Sequence, residues 1–129
     1  MPLKDLFQSA DWKAEKHSPV IEIETVPEKG KPIIVSISIG KEIPHPNTSE
    51  HHISWIDLYF HPDGEKFPYH LGKYEFASHG ASINGPNTST IFSEPFVSVK
   101  FKTEKSGTIL ASSFCNIHGL WASEIKLEL

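Results

Sequence analysis

The chain has 129 residues, with 12 Lys+Arg against 16 Asp+Glu for a net charge of −4, and 38% of its residues are hydrophobic. That length suits one domain able to bury about two-thirds of its unfolded surface without staples, and the negative balance argues against a binder of nucleic-acid backbones. A single Cys excludes a disulfide scaffold, the N-terminus lacks the apolar run of a signal peptide, and no segment nears the ~20 apolar residues of a membrane span, which together predict a soluble, cytoplasmic protein.

The first dozen residues read as a short helix or loop, with Leu6, Phe7 and Trp12 as apolar anchors. Residues 20–26 alternate branched apolar side chains with Glu22 and Glu24, the period-2 pattern of a half-buried strand. A Pro- and Gly-containing turn follows, and residues 33–39 alternate again through Ile33, Val35, Ile37 and Ile39. Residues 40–50 are polar and Pro-rich, as expected of a long ordered loop. Residues 53–60 are aromatic and branched and predict a central strand closed by Pro62-Asp63-Gly64. Shorter strands are expected at 73–77 and 96–102, separated by the turn signal Asn84-Gly85-Pro86-Asn87. Residues 103–107 suit a hairpin connection to a strand at 108–114, and 123–129 supplies the last strand. Seven short strands with no long helical period predict an all-β, seven-stranded immunoglobulin-like β-sandwich with a short N-terminal helix or loop.

Eight histidines are many for a chain of this length. Three segments concentrate the chemistry: Glu15-Lys16-His17 before the first strand, His45-Pro46-Asn47 through Glu50-His51-His52 in the long loop, and Cys115-Asn116-Ile117-His118 near the end. A Cys-x-x-His turn presents a thiolate and an imidazole to one ion, and Gly119 gives that turn its backbone freedom. A thiolate with several imidazoles suits iron, copper or zinc, and disfavours magnesium and calcium, which want oxygen ligands. Periodicity does not choose between the adjacent His51 and His52. His61, His70 and His79 lie in turn-like contexts and are read as solvated, whereas Trp55 and Trp121 are read as core.

As a set, Glu15-Lys16-His17-x-Pro19, His45-Pro46-Asn47, Glu50-His51-His52-Ile53 and Cys115-Asn116-x-His118-Gly119-x-Trp121 resemble the superoxide reductases, in the short single-iron form called neelaredoxin. The resemblance runs from about residue 12 to the C-terminus. It implies a single iron-binding domain over 1–129, without the N-terminal four-cysteine iron domain of longer relatives. It also implies one mononuclear iron held by His17, His45, His51 and His118, with Cys115 as axial thiolate. Glu15 would close the sixth position in the oxidised form, and Lys16 would stand beside it as a positive group for the incoming anion. The implied reaction is one-electron reduction of superoxide to hydrogen peroxide, with rubredoxin or a similar donor returning the electron; the implied assembly is a homotetramer. Ser18 departs from the apolar residue that relatives often carry there. Pro46 and Asn47 are expected to shape the His45 loop, and the amides of Ile117 and His118 to bond the Cys115 sulfur.

Two other readings compete. A type 1 copper electron carrier is also a β-sandwich with Cys and His ligands, but its weak axial Met has no counterpart, since Met1 is the only methionine. A non-catalytic binding domain with structural zinc needs four closed ligands, fewer than the residues assembled here.

Overall fold

The computed structural model describes residues 1–129, in two antiparallel sheets. The smaller sheet has the order β1-β2-β5, built from Val20–Ile23, Ile33–Ser38 and Phe96–Phe101. The larger has the order β4-β3-β6-β7, built from Tyr69–Glu75, Ile53–Pro62, Gly107–Cys115 and Gly119–Leu127. No helix is long and apolar enough to cross a membrane.

The alternation seen in the sequence decides what faces inward. On β2, Ile33, Val35 and Ile37 are fully buried; on β3, Ile56, Leu58 and Phe60 point to the same interior. Each side chain so buried stabilises the sandwich by roughly 1.5–3 kcal/mol relative to exposure, and truncating Ile37 to Ala costs about 2–5 kcal/mol because a cavity remains. Cys115 belongs to this core at 0% exposure.

Seven strands and the central place of β3 match the expectation, and the departures are local. β1 stops at Ile23, and Val26 beyond it is 85% exposed, so alternation there continues past the pairing. β4 begins at Tyr69, four residues before the expected start at 73, since its side chains are mostly exposed and leave no inward pattern to read. β7 covers Gly119–Leu127, displaced toward Cys115, because β6 and β7 form one tight hairpin pairing Cys115 with Gly119. Trp55 is half-buried on the outer face, stacked on Phe114 with the Lys73 ammonium 4.9 Å over its ring, and is not core. His61 and His70 lie on β3 and β4, not in turns.

The N-terminus forms a single 3-10 turn at Leu3–Asp5 with no buried residue. Its side chains do not anchor it: Leu6 and Phe7 are 45% and 36% exposed. Backbone pairing does, through Gln8 N–H to the Leu120 carbonyl at 3.0 Å and Ala122 N–H to the Gln8 carbonyl at 2.9 Å. This brings residues 8–18 along β7 toward the end of the sheet where β6 turns.

Candidate metal centre

Three chain segments meet at that end of the larger sheet. β3 starts opposite the end of β6, with Ile53 registered on Cys115, so the loop entering β3 lies against the turn leaving β6. Asn116 fastens them: its Nδ2 donates to the Glu50 carbonyl at 2.8 Å and its Oδ1 accepts from the His52 amide at 2.8 Å. The third segment arrives through Ser18, whose Oγ accepts from the Ala10 amide at 3.0 Å. Ser18 thus ties the His17 segment down.

Four imidazoles close into a ring. His17 to His45, His45 to His51, His51 to His118 and His118 to His17 have centroid separations of 4.7, 4.8, 5.0 and 4.8 Å, each pair steeply inclined. Donor atoms of His17, His45, His51 and Cys115 all lie within 4.8 Å of one another. His118 is exposed and falls outside that tightest group, yet its Nδ1 is 3.2 Å from His17 Nε2 and 3.8 Å from the Cys115 sulfur. His52 turns away, its Nδ1 2.9 Å from the Thr48 carbonyl, so the fold brings His51 and not His52 to the cluster.

The ring nitrogens are sorted by their second partners. His45 donates from Nδ1 to the Pro46 carbonyl at 2.6 Å, which leaves Nε2 with its lone pair. His17 donates from Nδ1 to Glu15, leaving Nε2 likewise. A histidine whose outer nitrogen is bonded to a carbonyl or carboxylate is fixed in tautomer and orientation for a metal. The buried Nε2 atoms of His45 and His51 have no hydrogen-bond partner. Buried polar atoms normally find one, and two orphaned imidazole nitrogens beside a thiol form a donor set for a transition metal. The residues therefore fit an iron ion.

Burial and neighbouring charge disfavour protonation of His45 and His51. Burial, aided by the charges of His17, His51 and Lys16 and opposed by the Pro46 bond, pushes His45 down to about 4. Burial and the charges of His118, His17 and Lys16 lower His51. Burial alone would raise Glu15, but bonds from the His17 ring and from the His17 and Ser18 amides outweigh it and hold the carboxyl below its ordinary value. Those amides lie 2.5 and 2.9 Å from Glu15 Oε2. Glu15 is thus bonded behind His17 rather than standing free in the ring. Lys16 is half-buried and forms none of the chain's ion pairs.

Backbone geometry supports the arrangement. Gly119 takes φ +81°, the left-handed conformation that closes the Cys115–His118 turn. Of the two amides expected at the sulfur, that of His118 reaches it at 3.3 Å. Gly40, at φ +81°, lets the loop pass close to His45, where a Cβ would lie 2.5 Å from the His45 backbone nitrogen. Trp121 is 8% exposed and stacks on His17 at 4.8 Å. His79 is not solvated as expected but 9% exposed and stacked on His52. Nothing in the sequence joins residues 27 positions apart, so that contact was not legible.

Comparison with known proteins agrees with this geometry. Residues 9–124 match the family described as Desulfoferrodoxin. The chain is 52% identical over 126 residues to the superoxide reductase of Pyrococcus furiosus, covering 98% of this chain and 99% of that one. It is 49% identical over 129 residues to the neelaredoxin of Megalodesulfovibrio gigas, covering 100% and 99%. Among solved structures, the reduced superoxide reductase (neelaredoxin) of Archaeoglobus fulgidus superposes with a TM-score of 0.91 at 58% identity, over 96% of this chain and 99% of that one.

Proposed function

The chain belongs to the desulfoferrodoxin family, and from that membership we propose that it is a superoxide reductase, an oxidoreductase that converts superoxide to hydrogen peroxide. The observation that carries the reading is the closed ring of four imidazoles over the buried Cys115 thiol. His17, His45, His51 and His118 would hold one mononuclear iron through their inward nitrogens, and Cys115 through its sulfur. Bound there, iron supplies one electron, and superoxide with two protons leaves as hydrogen peroxide.

The chain's own residues do the rest. Glu15 and the Pro46 carbonyl hold His17 and His45 with their lone pairs inward. The His118 amide bonds the sulfur and draws charge from it, which tunes how readily the thiolate donates. Lys16 places a positive charge near His45 and His51, where it attracts a small anion to a protein of net negative charge. Glu15 would have a second part with iron bound, leaving its bonds to His17 and Ser18 to serve as a further carboxylate ligand in the oxidised state. Such ligation would disfavour the oxidation of superoxide to dioxygen that a dismutase needs, and the electron would then come from outside. A small carrier of the rubredoxin type returns it. The chain works as one iron-binding domain over residues 1–129, as a homotetramer in the cytoplasm, where a lone free thiol remains reduced.

The competing metals fit less well. A type 1 copper site wants a weak axial Met, and Met1 is 89% exposed at the chain end. Structural zinc closes with four ligands, and the ring plus Cys115 offers five. The test is product stoichiometry: the pre-reduced protein should yield one hydrogen peroxide per superoxide and no dioxygen. Dioxygen in equal measure with peroxide would make it a dismutase.

A further inference from the structure

One histidine pair beside the cluster has no part in the chemistry above. The rings of His52 and His79 lie face to face, with centroids 3.5 Å apart and planes within 3° of parallel. His79 comes from the connection between β4 and β5, far along the chain from the loop it meets. Its Nε2 is 2.5 Å from the Phe76 carbonyl, which anchors the ring to its own segment. Its Nδ1 is 3.0 Å from Asn47 Oδ1, and the Asn47 amide is oriented by donating Nδ2 to the Ser93 carbonyl at 2.9 Å. The carbonyl of His79 accepts from Ser49 Oγ at 2.8 Å.

One residue therefore touches the long loop at positions 47, 49 and 52. These contacts flank His51 and begin two residues after His45. Residues 39–52 contain no helix or strand, so the loop has no backbone ladder of its own to fix His45 and His51. An ion binding to a loose loop must order it, and that ordering entropy is subtracted from affinity.

We propose that His79 is a positioning residue of the metal centre: with its ring anchored on the Phe76 carbonyl and stacked on His52, it holds the His45 and His51 imidazoles convergent before the ion arrives. The proposal rests on the reading of the cluster as a metal centre. His79 touches neither ion nor substrate; it acts through the loop. Its polar contacts and its ring can be separated, since Phe at this position keeps the flat ring and loses both nitrogens.

The test uses the full chain reloaded with Co²⁺, whose visible bands report ligand geometry, with affinity measured against a competing chelator. His79→Ala should weaken Co²⁺ binding by about 10–100-fold, the usual cost of losing an outer partner of a metal site, and should alter the band pattern. His79→Phe should lose less, while its metal-free thermal midpoint stays close to that of the parent chain. Parental affinity and spectrum in folded His79→Ala would overturn the proposal. Should His79→Ala not fold, His79→Phe decides: a weakened, spectrally altered site supports the proposal, and a parental one overturns it. A parent chain that binds Co²⁺ with no thiolate band would refute the metal centre itself, and the proposal with it.

Discussion

His17 and Trp121 stack at 4.8 Å with their planes 11° apart, so the floor of the cluster is an indole from β7. The indole Nε1 also donates to the His118 carbonyl at 3.3 Å, which joins the His17 and His118 segments through one side chain. Trp121→Ala should cost about 3–5 kcal/mol of stability by removing a buried aromatic. It should also weaken iron binding, with Trp121→Phe retaining most of both. Urea unfolding of the metal-free chain and chelator competition measure the two effects separately.

Glu15 holds His17 from behind, and this makes the residue matter before any redox change. Glu15→Ala should lower metal affinity by about 10–100-fold, since the carboxylate fixes the His17 tautomer. Glu15→Gln keeps an acceptor oxygen and should lose less. Chelator competition checks both; unchanged affinity in Glu15→Ala would leave Glu15 with its redox-linked part alone.

Acid should destabilise the metal-free chain in a defined window. An unfolded His takes a proton near 6.5, whereas folded His45 does so only at about 4. Between those values the unfolded state binds more protons, so stability rises with pH there and is lost as pH falls from 6.5 toward 4. His51 and His79, also lowered by burial, act in the same direction. Glu15, held below its ordinary value, adds a further loss as pH falls below about 4.5. Urea midpoints between pH 7.5 and 4 should decline across this range, and His45→Gln should flatten the decline.

Lys16 is placed to act at a distance. Lys16→Ala should slow the second-order reaction with superoxide several-fold at low salt and flatten its ionic-strength dependence, because screening removes at ~8 Å what the ammonium supplies. Stability should change little, as Lys16 forms no ion pair. Rapid-mixing kinetics at two salt concentrations checks this.

Much of this was legible in the chain because the two periods that matter are short. The alternation of Ile33, Val35 and Ile37 is a statement about one face of one strand, and the burial of all three follows it. The Cys115–His118 spacing works the same way, since one turn closed by Gly119 sets both donors. What was hidden depends on long-range register. His51 and His52 are neighbours with opposite fates, and Asn116, in the turn leaving the neighbouring strand β6, pins the His52 amide. Trp55 has the composition of a core residue, but the β3–β6 register shifts between Ile53 and Trp55, and Ile56 takes the inward side. The stack of His79 on His52 arises only once the β4–β5 connection folds over the loop.

The most direct test of the central claim is metal content together with a visible spectrum, before and after mild oxidation, for the parent chain and Cys115→Ser. The account predicts one iron per chain, nearly colourless when reduced and blue when oxidised, with the blue band abolished in Cys115→Ser. Stoichiometric zinc or copper in cells supplied with iron, or a blue band that survives loss of the thiol, would contradict it.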